Sequence, residues 1–513
     1  MNGAESLVRT LLASGVDVCL ANPGTSEMHF VSALDRVAGM RCVLGLFEGV
    51  VSGAADGYAR MAGKPAATLF HCGPGLANGI ANLHNAKRAR VPLVNIIGDQ
   101  ATYHKPLHPP LAADTEALAA TVSQWVRTAA RVEDVGTEAA AAVAAARAAP
   151  GSIASLILPS DVSWNEGGAI ASPLAIAPAE HIVEAAIAEA AALLRSGEPT
   201  LLLLGGAALS GRALLDAARI ATLPNVKLMA ENFNARVERG GDRPFVPRIP
   251  YPIDAALAAL AGVRNVILIG ARDPVAFFAY PGKPGRLLPD SAVVHDLATP
   301  ADDVGDALAR LADAVGVGPY APAPQAPTPD VPGGAVTPEA VAAALAALLP
   351  EGAIVADEGL TFGFALYPNT GNAAPHDWLQ LMGGAIGNGP PLATGAALGA
   401  PGRRVINVQG DGSALYTIQA LWTQARERLD VTTIIFANRR YEILFDELKN
   451  VGAAAGAASR ALFDIADPAI DWRALATSFG VESARAETMK EFTDLFGVAN
   501  RWRGPFLIEL VVP

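Results

Sequence analysis

The chain has 513 residues, of which 51% are hydrophobic and 17% are charged. A chain of this length is expected to form about two to four domains and can bury a large core. The formal net charge of −12 argues against nucleic acid and anionic membranes as partners, although a locally positive site could still bind an anionic substrate.

The three cysteines, Cys19, Cys42 and Cys72, include no Cys-x-x-Cys pair, so neither a disulfide framework nor a zinc site is predicted. The N-terminus lacks a basic region followed by an apolar run, as a signal peptide would have. The uncharged stretch 378–402 has the length of a membrane span, but its glycines and prolines indicate packed loop and helix instead. We therefore expect a cytoplasmic protein.

In chain order, the first block predicts a parallel sheet, because short apolar strands alternate with helical stretches. The predicted strands lie at 16–20, 41–46, 66–71, 93–97 and 153–158. Residues 164–178 are rich in Gly, Ala and Pro, which is typical of a linker.

Two further blocks repeat this α/β pattern. The second has predicted strands at 200–204, 226–230, 266–269 and 293–297, and the third at 353–356, 405–409, 433–437 and 506–511. Between them, residues 316–338 contain seven prolines, a composition that favours extended, exposed chain. The sequence thus predicts an α/β fold of three doubly wound parallel-sheet domains, at 1–165, 180–316 and 337–513.

A candidate metal and phosphate site lies in the third block. Gly410-Asp411-Gly412 follows one predicted strand, a helix is predicted over 414–428, and Asn438 follows the next strand. Carboxyl ends of parallel strands meet at one edge of a sheet, where ligands bind. Asp and Asn supply the oxygen ligands that Mg²⁺ prefers, and glycines with a helix N-terminus favour a phosphate. The alternative is a simple turn with an unrelated Asn.

Further motifs lie in the first block, at 22–27 (Asn-Pro-Gly-Thr-Ser-Glu), 48–49 (Glu-Gly), 54–60, 71–75 (His-Cys-Gly-Pro-Gly) and 78–79. Together with Gly410–Ser413 they resemble the thiamine diphosphate-dependent decarboxylase and acetolactate synthase superfamily. The likeness covers essentially the whole chain and is greatest to benzoylformate decarboxylases and to acetolactate synthase large-subunit-like proteins. It implies the domain order pyrimidine-binding, middle and diphosphate-binding for the three blocks.

The resemblance gives Glu48 the role of the carboxylate that activates the cofactor's aminopyrimidine. Glu48 follows a predicted strand, and its apolar neighbours Phe47, Val50 and Val51 would desolvate it. The alternative is an acid in the first turn of a helix, where acids are favourable.

The resemblance also implies ligands and cofactor contacts. Mg²⁺ would be held by the side chains of Asp411 and Asn438 and by the backbone carbonyl of Arg440. Ile386 would hold the cofactor bent, or serve only core packing, and Gly384 would offer its carbonyl to the pyrimidine. The remaining cofactor contacts would be Asn22, Pro23, Gly24, Thr361, Gly410, Gly412, Ser413, Tyr441 and Glu442.

His71 is the second candidate catalytic residue, since a histidine that titrates near neutrality can exchange protons with reaction intermediates. A buried structural histidine is the alternative. His71 is also a candidate substrate contact. Thr25 and His104 are further candidate substrate contacts, with a turn hydroxyl and a solvated loop as their alternatives. Cys72 should point away from His71, because neighbouring residues on a strand face opposite sides.

The activity implied is decarboxylation of a 2-keto acid. The carbon that loses carbon dioxide is then either protonated, giving an aldehyde, or joined to a second carbonyl, giving a hydroxyketone as in acetolactate synthases. A non-catalytic or regulatory homologue is a further alternative. Gly205–Gly211 lacks the Gly-x-Gly-x-x-Gly pattern, so we expect no FAD. The resemblance also implies a homodimer or homotetramer with active sites between subunits.

Overall fold

A computed structural model of the chain describes residues 1–322 and 329–513. The described residues form three sheets flanked by helices, which confirms the predicted α/β class with parallel sheets. The proline-rich stretch predicted at 316–338 includes residues 323–328, which lie outside the described residues. Among the described helices, none has the length and apolar character needed to cross a membrane.

The first sheet has six parallel strands in the order β2-β1-β3-β4-β6-β5. Its strands are β1 (Val18–Ala21), β2 (Arg41–Leu44), β3 (Ala66–Phe70), β4 (Leu93–Asp99), β5 (Trp125–Thr128) and β6 (Ile153–Pro159). The helices are α1 (Gly3–Ala13), α2 (Met28–Arg36), α3 (Glu48–Ala62), α4 (Cys72–Ala89), α5 (Thr115–Val122), α6 (Val135–Arg147) and α7 (Ser160–Trp164). Separate apolar cores cover the two faces, so the sheet is doubly wound.

The second sheet has four parallel strands in the order β11-β10-β7-β8. This part of the chain contains β7 (Thr200–Leu204), β8 (Val226–Ala230), β9 (Val237–Arg239), β10 (Asn265–Ile269) and β11 (Val293–Ala298). Its helices are α8 (Glu184–Arg195), α9 (Gly211–Ile220), α10 (Ile253–Leu260) and α11 (Val304–Val315). Between α7 and α8 the chain forms neither helix nor strand, apart from two isolated bridges.

The third sheet has seven strands in the order β16-β17-β15-β14-β12-β13-β9. They include β12 (Ile354–Glu358), β13 (His376–Gln380), β14 (Val405–Gly410), β15 (Val431–Ala437), β16 (Glu482–Ala486) and β17 (Phe506–Val511). The helices are α12 (Pro338–Leu348), α13 (Leu360–Gly363), α14 (Leu366–Asn369), α15 (Gly389–Gly399), α16 (Asp411–Ala414), α17 (Ala420–Arg426), α18 (Glu442–Asn450), α19 (Ala457–Phe463), α20 (Trp472–Ser478) and α21 (Met489–Arg501). Strand β9 joins this sheet from the second block and pairs antiparallel with β13.

Two predictions about local structure were wrong. The single helix expected over 414–428 is two short helices, α16 and α17, separated by a turn. Within that turn, the Thr417 hydroxyl donates to the Gly387 carbonyl at 2.8 Å, and this tertiary bond draws the segment away from a continuous helix. Strands β5, β9, β13 and β16 were not predicted.

Helices α3 and α15 connect the first block to the third. Gly395 lies so close to α3 that a Cβ atom there would come within 1.8 Å of the Ala54 carbonyl oxygen. Only glycine permits this approach. One apolar core consequently runs from the first sheet, through both helices, to β12, β14 and β15, and it fixes the strand ends of both blocks relative to each other.

Candidate active site

Glu48 is the first residue of α3, with Phe47 in extended conformation before it. Its carboxylate is buried. Oε1 accepts a hydrogen bond from Asn22 Nδ2 at 3.2 Å, and Oε2 accepts one from Asn78 Nδ2 at 3.1 Å. Glu48 thus lies in the first turn of a helix, after strand β2 has ended at Leu44, and its role as the activating carboxylate stays a prediction. Asn78 was in the sequence motif but was not predicted as a site residue.

The turn after β1 runs beside Glu48. Pro23 and Thr25 are exposed, and Gly24 is half-buried. Thr25–Glu27 forms a 3-10 turn that ends in the buried carboxylate of Glu27. Glu27 Oε2 accepts from the Gly24 amide at 2.9 Å. The sequence analysis missed Glu27, although its spacing of three residues after Gly24 is typical of an acid that closes such a turn.

His71 follows β3 directly and precedes α4, so the expected strand ends one residue earlier than predicted. His71 Nδ1 lies 3.0 Å from Glu27 Oε2 and 3.0 Å from Ser26 Oγ. Its side chain is 21% exposed, so part of the ring is accessible.

The expectation that Cys72 faces away from His71 was wrong. Cys72 begins a helix with φ of 50°, so strand alternation does not apply to it. Its Sγ lies 3.2 Å from the same Ser26 hydroxyl that contacts His71. Burial raises the pKa of the Cys72 thiol to about 11, so it is a thiol and not a nucleophilic thiolate at neutral pH.

His104 lies on a loop after β4 and is exposed. The loop is fastened by a salt bridge between Lys105 Nζ and the buried Asp99 carboxylate at 2.5 Å. Hydrogen bonds join Glu48 to Asn22 and Asn78, and a second set joins His71 to Glu27, but none of these bonds includes His104.

The third block places Asp411 and Asn438 at adjoining strand ends. Gly410 of β14 pairs with Phe436 of β15, so Asp411 lies level with Ala437 and one residue short of Asn438. Asp411 is buried, and its Oδ2 and Oδ1 accept backbone hydrogen bonds from Arg439 at 2.6 Å and Gly412 at 2.8 Å. Burial raises the pKa of Asp411 to about 6.

The neighbouring predicted residues surround this turn. Tyr441 packs its ring over Gly412, where a Cβ atom would lie 2.4 Å from Tyr441 Cε1. Ser413 Oγ donates to the Gly410 carbonyl at 3.0 Å and accepts from Gln409 Nε2 at 2.6 Å. Arg440 forms an ion pair with Glu442.

Thr361 also lies near this edge, on the one-turn helix α13 that follows β12. Strand β12 pairs with β14, so Thr361, which follows β12, and Gly410, which ends β14, lie at the ends of neighbouring strands. Thr361 is half-buried.

The predicted loop with Gly384 and Ile386 lies between β13 and α15. Gly384 has φ of 76°, and Ile386 is half-buried. A residue that was not predicted, Glu358, holds the end of this loop: its carboxylate accepts from the Gly387 amide at 2.6 Å and from the Gly389 amide at 2.5 Å. Glu358 is buried, and burial raises its pKa to about 7.

A cavity of about 880 Å³ lies at the carboxyl ends of the second sheet. It is lined by Gly206 and Ala207, by Arg90 and Arg272, and by Phe277. Neither Glu48 nor Asp411 lines it, but Met382 and Gly383, from the loop that contains Gly384, do. The absence of FAD stays a prediction.

The residues present fit thiamine diphosphate and a divalent cation. Asp411 and Asn438 provide two hard oxygen donors at one sheet edge, the donor type that Mg²⁺ takes. Gly410 places no side chain between the adjacent backbone and a phosphate group, whereas the space beside Gly412 is filled by the Tyr441 ring. In the first block, Glu48 offers a buried carboxylate that is held by amides and carries no ion pair among the described residues.

Comparison with known proteins agrees with this fit. Residues 1–124 match the family model described as "Thiamine pyrophosphate enzyme, N-terminal TPP binding domain", and residues 363–510 match the corresponding C-terminal TPP binding domain. Thiamine pyrophosphate and thiamine diphosphate are the same cofactor.

Named relatives and a solved structure extend over the whole chain. The chain is 51% identical to "Putative acetolactate synthase large subunit IlvX" of Mycobacterium tuberculosis (strain ATCC 25618 / H37Rv), covering 100% of this chain and 99% of that one. It is 31% identical to benzoylformate decarboxylase of Pseudomonas aeruginosa, covering 97% and 96%. The structure of the thiamine diphosphate-dependent 4-hydroxybenzoylformate decarboxylase of Rhodococcus jostii RHA1 matches with a TM-score of 0.86 at 26% identity, covering 99% and 98%. The chain therefore belongs to the thiamine pyrophosphate enzymes of the decarboxylase and acetolactate synthase family.

Proposed function

We propose that this protein is a thiamine diphosphate- and Mg²⁺-dependent decarboxylase of a 2-keto acid. The observation that carries the proposal is that Glu48 and a second acid–base group, His71, both follow strands of the first sheet at its carboxyl edge. Relatives and structural neighbours that are named decarboxylases support the reaction class.

Each residue of the candidate site has a role that its contacts support. Asp411, Asn438 and the carbonyl of Arg440 would hold Mg²⁺ and through it the diphosphate. Glu48 would hydrogen-bond the pyrimidine ring, and Gly384 and Ile386 would fix the cofactor's shape. The chemistry that thiamine diphosphate supplies when bound is an electron sink for the loss of carbon dioxide from a 2-keto acid.

His71 would exchange protons with the substrate after carbon dioxide has left. Its ring is held at Nδ1 and is partly accessible. A histidine in this position can give a proton to carbon, and the aldehyde is then the product. Thr25 is exposed beside it and would contact the substrate carboxylate.

A second candidate function is carboligation of the acetolactate synthase type. The 51% identity to a protein that carries this name favours it. Both functions share the loss of carbon dioxide and differ only in whether the remaining carbon receives a proton or a second carbonyl.

A screen of 2-keto acids tests the proposal. The protein, loaded with thiamine diphosphate and Mg²⁺, would be given pyruvate, 2-ketobutyrate, benzoylformate and 4-hydroxybenzoylformate, and carbon dioxide and organic products would be measured. A decarboxylase gives an aldehyde for each carbon dioxide, whereas a carboligase gives a 2-hydroxy-3-keto acid. Glu48→Gln serves as the matched inactive control. If cofactor binds but no 2-keto acid loses carbon dioxide, the proposal is wrong.

A further inference from the structure

The carboxylate of Glu27 lies beneath His71 and is almost fully buried, with 1% of its side chain exposed. Residue 98 must be glycine to leave space for this carboxylate, since a Cβ atom on Gly98 would come within 1.7 Å of Glu27 Oε1. In the same way, a Cβ atom on Gly24 would come within 2.2 Å of the His71 ring. Two glycines therefore make room for a carboxylate and an imidazole in contact.

A buried carboxylate needs donors, and Glu27 has three groups in reach. The Gly24 amide donates to Oε2, and the Ser26 hydroxyl donates to Oε1. The third group is His71 Nδ1, at 3.0 Å from Oε2. No basic side chain is paired with Glu27 among the described ion pairs except this imidazole.

Counting hydrogens decides which nitrogen of His71 carries one. The single hydroxyl hydrogen of Ser26 is used on Glu27, and the thiol of Cys72 can donate to Ser26 Oγ at 3.2 Å. Nδ1 therefore faces two carboxylate oxygens and a hydroxyl oxygen, all of them acceptors, and must itself be the donor. In the neutral ring Nε2 is then the bare nitrogen, and the described hydrogen bonds of the His71 ring all involve Nδ1.

The same contacts argue against a metal ion at this place. Glu27, His71 and Cys72 offer ligand atoms that lie within 4.8 Å of one another. The Ser26 hydroxyl lies between them, in contact with all three, so it fills the position that an ion would need.

We propose that Glu27 is a positioning residue that fixes the hydrogen on Nδ1 of His71 and so presents Nε2 as the proton-exchanging atom. This rests on the proposed function. Nε2 takes a proton from solvent, and the resulting imidazolium is balanced by the Glu27 carboxylate. The proton then passes from Nε2 to the carbon that has lost carbon dioxide, the N–H electron pair stays on Nε2, and the ring returns to neutral.

The first test needs no activity. The chain has eight histidines, so ring-¹⁵N-histidine labelling and subtraction of the His71→Asn spectrum isolates the His71 signals in solid-state NMR of the cofactor-free protein. In alkaline buffer the wild-type protein should show hydrogen on Nδ1 and a bare Nε2. In Glu27→Gln the amide can offer an oxygen or an NH₂ group to Nδ1, so a second tautomer should appear. A wild-type ring protonated at Nε2, or an unchanged tautomer in Glu27→Gln, would overturn the proposal.

The second test separates proton delivery from the loss of carbon dioxide. Two ferricyanide ions each accept one of the two electrons left by that loss, and with one water the product becomes a carboxylic acid, so turnover no longer needs the proton from His71. In Glu27→Gln, aldehyde formation should fall about 10- to 100-fold, less than the about 10²- to 10⁴-fold that a whole general acid contributes, because His71 itself remains. Ferricyanide reduction should stay within about twofold of wild type, and adding Glu27→Gln to His71→Ala should cause no further loss.

Asp99→Asn is the matched control, since it neutralises another buried carboxylate at the next strand end without contacting His71. Its ratio of aldehyde to ferricyanide reduction should equal that of wild type. If both rates fall together in Glu27→Gln, the role is merely structural and the proposal fails. If wild type releases no carbon dioxide, the proposed function fails, while the NMR result still decides the role of Glu27.

Discussion

The Glu48 carboxylate accepts hydrogen bonds from two neutral amides, those of Asn22 and Asn78, and is not paired with a cation among the described residues. A buried carboxylate that is held in this way remains available to an incoming hydrogen-bond partner, whereas an ion pair would compete with it. This arrangement suits a residue that must bond to a ring nitrogen of a cofactor.

Glu48→Gln should therefore retain thiamine diphosphate binding but lose turnover by about 100-fold or more, the size of effect that acid–base groups provide. Gln keeps the side chain's size and can still accept from one asparagine. Calorimetry of cofactor binding and carbon dioxide release on the best 2-keto acid would measure the two effects. Turnover equal to wild type would contradict the assigned role.

Asp411 should be essential for metal-dependent cofactor binding. Asp411→Ala removes one of two side-chain oxygen donors, and even outer partners of metal ligands are worth about 10- to 100-fold in affinity. We expect cofactor affinity in Mg²⁺ to fall by at least that much, as titrated by calorimetry. Asp446→Ala, which removes an exposed carboxylate on α18, is the control and should bind normally. Equal affinities in the two variants would refute the metal site.

Sequence reasoning predicted the position of those candidate site residues that follow apolar strands. Asp411, Asn438 and His71 each come directly after a buried run, so their place at a sheet edge could be predicted. Glu27 and Glu358 could not be found in this way. Their importance comes from what they contact across the fold, the ring of His71 and the amides of Gly387 and Gly389, and no local pattern encodes such contacts.

At the scale of elements, the strands that prediction missed are polar ones. Strand β13 contains His376, Asp377 and Gln380, all buried, and Asp377 is paired with Arg236 and Arg403. Its polar sequence does not indicate a buried strand, because the ion pairs and hydrogen bonds that permit its burial come from distant segments. Strand β16 at the sheet edge is similarly charged.

The start of α15 depends on Glu358, whose pKa is raised from 4.5 to about 7 by burial. A group with a raised pKa stabilises the folded state fully below its unfolded pKa, and this contribution is lost as the pH rises through the folded value. At about 1.4 kcal/mol per pKa unit, the effect amounts to about 3 kcal/mol. Wild type should thus lose stability relative to Glu358→Gln between about pH 4.5 and pH 7.

Thermal unfolding of the two proteins across this pH range measures the difference, since contributions from all other groups cancel in the comparison. Glu358→Gln can still accept from one of the two loop amides, so it should fold. If the difference in melting temperature between wild type and variant does not change with pH, Glu358 does not carry a raised pKa.

At the scale of the whole molecule, the two halves of the candidate site belong to different blocks of the chain. Among the described residues, the carboxylate of Glu48 is hydrogen-bonded only to first-block residues, and the carboxylate of Asp411 is hydrogen-bonded only within the third block. The resemblance implies that a site joins the first block of one subunit to the third block of its partner. In that case the smallest active unit is a dimer.

Mixing two inactive variants tests this arrangement. In a dimer of one Glu48→Gln chain and one Asp411→Ala chain, one site would carry both defects and the other would carry neither. Random pairing makes half of the dimers mixed, so co-expression should restore about a quarter of wild-type activity, whereas either variant alone stays inactive. Two different affinity tags would isolate the mixed dimers, whose activity per dimer should be about half that of wild type. If each site were built from a single chain, every chain would keep its own defect and no mixture would regain activity.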